Sequence, residues 1–95
     1  MLDKKRRLYR LIENYINDFQ GEAVQTMYGK GAYIKIHNLN FSATKNSILM
    51  EAVIVLGELI TEEHMARSLA DVLVSDAMVY FFPECHIKTY VRFDA

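Results

Sequence analysis

The chain has 95 residues and a formal net charge of −1, and a chain of this length forms one domain, here residues 1–95. Its 52% hydrophobic content is high for so short a chain, so we expect part of the apolar surface to lie in a contact between chains. One cysteine excludes a disulfide framework, and no uncharged apolar stretch is long enough to cross a bilayer. We therefore expect a protein that is not secreted and not in a membrane, located in the cytoplasm or in a particle assembled inside the cell.

Charge is distributed unevenly along the chain. Residues 1–10 carry five bases and one acid, which is +4, whereas residues 11–95 carry six bases and eleven acids, which is −5. The five bases are Lys4, Lys5, Arg6, Arg7 and Arg10. This cluster predicts a site for nucleic acid or another anion, or a contact with the acidic surface of a neighbouring copy. The simpler alternative is a solvated start to a helix.

The first predicted element is an amphipathic helix over residues 3–19. Its apolar residues recur at spacings of three and four, and they are Leu8, Leu11, Ile12, Tyr15, Ile16 and Phe19. Asp3 is suited to cap the start of this helix, and Gly21 is suited to end it. The stripe predicts one face buried against the rest of the protein.

Strand patterns follow the helix. Three strands are predicted, over residues 23–28, 33–41 and 47–56. Residues 29–31 have the two glycines of a turn, and the apolar alternation changes parity near His37 and Asn38, which indicates a bulge. Residues 52–56 are apolar on both faces, so we place this strand in the centre of the sheet.

A second helix is predicted to begin at Thr61, because a capping hydroxyl is followed by two acidic residues. Residues 77–82 fit either its last turn or a further strand, and Pro83 stops the helix. Residues 85–93 alternate as a half-buried C-terminal strand. The predicted fold is therefore α+β: an N-terminal amphipathic helix, a three-stranded antiparallel meander, a second helix and a C-terminal strand (α-β-β-β-α-(β)-β), arranged as a two-layer sandwich.

Two groups of residues are assigned from this pattern. The predicted core contains Leu8, Tyr15, Phe19, Ile54, Leu69 and Phe93. The predicted contact surface contains Tyr9, Tyr33, Phe81 and Tyr90, since aromatic side chains are enriched in interfaces.

Few residues are candidates for chemistry. Cys85 and His86 are neighbours on a strand and point to opposite faces, and no metal-binding spacing of histidine or cysteine occurs, so we expect no metal and no cofactor. A small enzyme or ligand-binding domain would have to use His37, His64 or Cys85. Nothing in the spacing of these three residues indicates a catalytic site.

Three hypotheses for function remain. The first is a non-catalytic structural subunit that packs against copies of itself or within a larger multi-protein complex, for example as a component of a viral particle. The second is a nucleic-acid-binding module that uses the basic start of the first helix. The third is the small enzyme or ligand-binding domain. The composition and the lack of a catalytic pattern favour the first, so we expect no enzymatic activity.

Overall fold

The computed structural model describes residues 2–59 and 67–94, in which three helices cover one face of a three-stranded sheet. The helices are α1 (Leu2–Phe19), α2 (Gly21–Tyr28) and α3 (Arg67–Phe81), and the strands are β1 (Tyr33–Ser42), β2 (Ser47–Val55) and β3 (His86–Asp94). The strand order is β1-β2-β3, with β1 antiparallel and β3 parallel to the central β2. The α+β class and the two-layer arrangement are confirmed.

Helix α1 matches the predicted helix over residues 3–19 to within one residue. Ile12 and Ile16 are fully buried at the centre of its apolar stripe. The prediction of Phe19 as a core residue is wrong, because this side chain is 72% exposed at the last residue of the helix, just before the chain turns into α2. Leu11 is also exposed, since it lies about 100° around the helix from Ile12.

The strand predicted over residues 23–28 is helix α2. Its buried side chains Val24 and Tyr28 are four residues apart and therefore lie on one side of a helix. Residues four apart also lie on one face of a strand, so in so short a segment this spacing does not distinguish a helix from a strand. The strand prediction for residues 23–28 is therefore wrong. Gly21, predicted to end the helical region, instead begins a second helix.

Strands β1 and β2 form a hairpin with the predicted bulge. Ile36 pairs with Ala52 and Asn38 with Glu51, so His37 is the extra residue. The bulge keeps apolar residues on the helix-covered face on both of its sides, Ile36 before it and Leu39 after it. The central position predicted for residues 52–56 is confirmed for β2, which pairs along both of its edges.

Of the two structures predicted for residues 77–82, the helix is the one observed, because α3 continues as far as Phe81. Its predicted start at Thr61 lies outside the described residues. The prediction of Leu69 in the core is wrong: the buried face of α3 consists of Ala70, Val74, Ala77 and Met78, and Leu69 is turned outward. Because α3 carries the chain back across the sheet, β3 runs parallel to β2, and the sheet is mixed rather than wholly antiparallel.

The outer edge of β1 is closed by side chains of α1. Asn17 accepts a hydrogen bond from the Ile34 N–H at 3.0 Å and donates one to the Ile34 carbonyl at 3.2 Å. One turn earlier Glu13 accepts the Ile36 N–H at 2.8 Å, and a further turn earlier the Tyr9 hydroxyl accepts the Leu39 N–H at 3.0 Å. These polar residues, four apart on α1, satisfy backbone groups that would otherwise be free to pair with another strand.

Candidate functional site

The two edges of the sheet differ in how open they are to another chain. The edge of β1 is occupied by side chains of α1. At the other edge, β3 pairs only with β2 among the described residues, and every second residue from His86 to Asp94 is exposed. The β3 edge and the faces of the molecule are therefore the places left for a contact between chains.

The largest concentration of exposed apolar side chains lies on the outside of α1 and α3. Each member of this set is more than half exposed, and we call the set the outer helical face: Leu11, Phe19, Leu69, Val72, Val79 and Tyr80. The two helices contact each other, so these residues share one side of the protein. Asp76 is also exposed on this side of α3, between Val72 and Tyr80. Several large apolar side chains exposed on one side of a monomer are typical of interaction sites.

An aromatic cluster joins the two helices at this face. The Tyr15 ring stacks on Tyr80 with centroids 4.6 Å apart, and it also contacts Phe19 at 4.7 Å and Phe81 at 5.0 Å. Tyr15 and Phe81 are half-buried in this cluster, whereas Phe19 and Tyr80 remain largely exposed. The cluster therefore holds two large aromatic side chains at the surface in fixed positions, as interface anchors require.

The predicted basic cluster is fully accessible. All five of its residues, Lys4, Lys5, Arg6, Arg7 and Arg10, are exposed, and none forms an ion pair with another residue in the described part of the chain. The opposite end of α1 is acidic at the surface, where Asp18 and then Glu22 of α2 are exposed. Binding of an anion or nucleic acid by the basic cluster stays a prediction.

The face of the sheet away from the helices carries a shallow groove. It has a volume of about 510 Å³, and Tyr33, His37 and Arg92 are among its described lining residues. A smaller adjoining cavity of about 320 Å³ is lined in part by His37, Glu51, Arg67, Tyr90 and Arg92. These polar groups form no hydrogen bonds with one another, so the groove shows no assembled catalytic arrangement among the residues described.

The three residues considered for catalysis are not brought together. His37 lies at the bulge beside Glu51, which is aligned with Tyr90, whereas Cys85 lies before the start of β3 and on the far side of β2. At about 3.3 Å per strand residue and about 4.8 Å between strands, the two residues are roughly 19 Å apart. His64 lies outside the described residues. Within residues 2–59 and 67–94 no three histidine, cysteine or acidic side chains cluster as metal ligands do.

Among the residues that the structure describes, one titratable group in the interior has a shifted pKa. Burial raises the pKa of the Tyr28 hydroxyl above its usual value of 10.0, and the nearby charge of Asp71 raises it further. The shift stabilises the neutral hydroxyl, which is what a side chain in the core requires. Tyr28 is fully buried and packs against Phe93, with the two ring centroids 5.1 Å apart.

The four predicted contact residues fall into two groups. Tyr33 and Tyr90 are exposed on the sheet face away from the helices, where the Lys88 Nζ lies 5.4 Å from the centre of the Tyr90 ring. Tyr9 and Phe81 are half-buried on the helical side, Tyr9 at the edge of β1 and Phe81 in the aromatic cluster. The structure does not join the four into one surface. The outer helical face was missed from the sequence because three of its members, Leu11, Phe19 and Leu69, match core periodicity.

Function cannot be assigned to this chain by similarity to a known protein. No helix among the described residues is long and apolar enough to span a membrane. Comparison with known proteins finds no matching family model, no similar curated protein and no similar solved structure, so function has to be inferred from the geometry of this chain alone.

Proposed function

We propose that the protein is a non-catalytic assembly subunit that associates with copies of itself through the outer helical face, alone or within a larger intracellular protein assembly. The observation that carries this proposal is the set of six large apolar side chains, each more than half exposed, on two adjacent helices. Burying such side chains is favourable in proportion to the apolar area removed from water, so a second surface is expected to cover them.

Two further features support a contact at a face. The β1 edge is satisfied by side chains of α1, so addition of a strand to that edge is disfavoured. The aromatic cluster also gives the outer helical face rigid anchors, whereas Tyr33 and Tyr90 lie on separate edge strands of the sheet. Rigid aromatic side chains lose little conformational entropy on binding, which suits an interface.

The mass in solution tests the proposal. Size-exclusion chromatography with light scattering, at physiological salt and over a range of micromolar concentrations, is expected to give a mass that is a multiple of the 11.0 kDa chain. A mass of one chain at every concentration, with a folded circular dichroism spectrum, contradicts self-association.

A further inference from the structure

We propose that two copies form a two-fold dimer in which α1 of one copy lies antiparallel to α1 of the other. The inference rests on the proposed function and specifies its geometry. A second stripe of α1 carries it, distinct from the buried stripe at Ile12 and Ile16. Its members are spaced three and four apart, and every one is exposed: Lys4, Arg7, Leu11, Asn14 and Asp18.

This spacing is that of the contact line between two helices packed side by side. Helix α1 has 18 residues and is about 27 Å long, and with α3 beside it the helical layer is about 20 Å wide. The flat footprint is about 540 Å², and the accessible surface of the side chains that project from it is larger than the flat area, so it approaches the roughly 800 Å² that each partner contributes to a stable complex. The size of the layer is therefore compatible with a dimer contact.

The charges along this stripe favour a second copy of the chain as the binding partner. They also determine the direction in which its α1 lies. Lys4 and Arg7 lie near the start of α1, and Asp18 lies near its end. A parallel pair of helices would place like charges opposite each other. An antiparallel pair instead places Arg7 opposite Asp18 of the second copy, and two-fold symmetry makes this contact twice.

The same symmetry determines what lies at the centre. The axis falls midway between residues 7 and 18, so Leu11 of each copy is near Asn14 of the other. Lys4 then approaches the region of the exposed Glu22 of the second copy. Tyr80 is held beside this stripe by its stacking on Tyr15, so the large apolar side chains of α3 flank the central contact.

The distribution of charged residues along α1 also supports a partner. The N-terminal end of a helix carries partial positive charge and the C-terminal end partial negative charge, so bases at the start and an acid at the end both oppose the helix dipole. Within the described part of the chain these bases make no ion pair, so no described residue compensates for their position. An antiparallel copy brings opposite charge to both ends at once.

Charge exchange between two positions tests this arrangement. Arg7→Glu and Asp18→Lys are made singly and together, with Lys45→Glu and Asp94→Lys as exposed controls of matched charge change. Each test substitution agrees with the helix dipole, so neither is expected to weaken α1. We expect each single variant to raise the dissociation constant at least tenfold, the double variant to come back to within about threefold of the original, and the controls to have no effect.

The outcomes separate the inference from the proposed function. If the protein associates but the single variants do not weaken it, or the double variant does not recover, the antiparallel arrangement is wrong while self-association stands. If the original protein is a monomer, both fail. If Arg7→Glu weakens association and Asp18→Lys does not, the antiparallel arrangement is also wrong. That result would indicate that the bases contact a different anion.

Discussion

Replacing Tyr80 with glutamate is expected to convert the associated protein into a folded monomer. Tyr80 is 68% exposed at the surface of the aromatic cluster, so its replacement removes the stacking on Tyr15 but opens no cavity in the core. Its ring is the largest exposed anchor of α3. Removing such an aromatic anchor typically weakens the free energy of association by about 2 kcal/mol or more. A two-fold interface contains the anchor twice, so the effect is doubled. We therefore expect the dissociation constant to rise at least about 100-fold, measured by light scattering or sedimentation.

The matched control for this variant is Tyr33→Glu. Tyr33 undergoes the same chemical change on the sheet face and is 43% exposed, so it has a comparable effect on solubility and charge. Circular dichroism should show both variants folded. An association that survives Tyr80→Glu and is lost with Tyr33→Glu would move the interface from the helices to the sheet.

The second large effect is expected for stability, at Gly57. A Cβ at this position would meet the backbone of the 29–31 turn, with the Gly29 carbonyl oxygen 2.5 Å and the Lys30 carbonyl carbon 2.6 Å away. These are backbone atoms that cannot rotate aside, and they are held by the paired hydrogen bonds between Lys30 and Glu58 at 2.9 and 3.1 Å. Gly57→Ala should lower the free energy of unfolding by about 2–3 kcal/mol.

Gly21→Ala is the control for Gly57→Ala. Apart from its chain neighbours and the backbone of its own helix, no atom lies within 4 Å of a Cβ built at Gly21. The residue begins α2, where alanine is the better helix former. Urea unfolding at one fixed protein concentration compares the variants, because association adds to apparent stability. If Gly57→Ala unfolds at the same urea concentration as Gly21→Ala, the close approach of residue 57 to the 29–31 turn is not present in solution.

The elements that sequence predicted best are those with a single strong periodicity. Helix α1 was found because its apolar residues keep helical spacing over more than three turns. The bulge at His37 was found because the alternation in β1 shifts by one residue, and a buried face cannot tolerate a shift without an extra residue. Strand β3 was found because its residues alternate without interruption.

The elements that were missed have ambiguous patterns. Eight residues of α2 are too few for helical spacing to be distinguished from a strand. Helix α3 is apolar on nearly every side, so its spacing could not show that small residues such as Ala70 and Ala77 face the sheet while Leu69 faces outward. The parallel direction of β3 could have been predicted, since a helix that connects two neighbouring strands of one sheet makes them parallel.

The candidate surface was predictable only in part. Composition indicated more apolar surface than one small chain buries, and charge segregation pointed to a nucleic acid or another anion, or to the acidic surface of a neighbouring copy. The location could not be derived, because an exposed apolar stripe and a buried one have the same spacing in sequence. Leu11 and Ile12 are adjacent in the chain, yet one is 58% exposed and the other fully buried, and only packing against the sheet decides between them.

Hydroxyl-radical footprinting at protein concentrations below and above association tests the central claim most directly, because it reports which side chains become covered. The account predicts that oxidation of Phe19 and Tyr80 falls as the protein associates, while oxidation of Tyr33 and Tyr90 stays constant. Protection of Tyr33 and Tyr90 with no change at Phe19 and Tyr80 would contradict it.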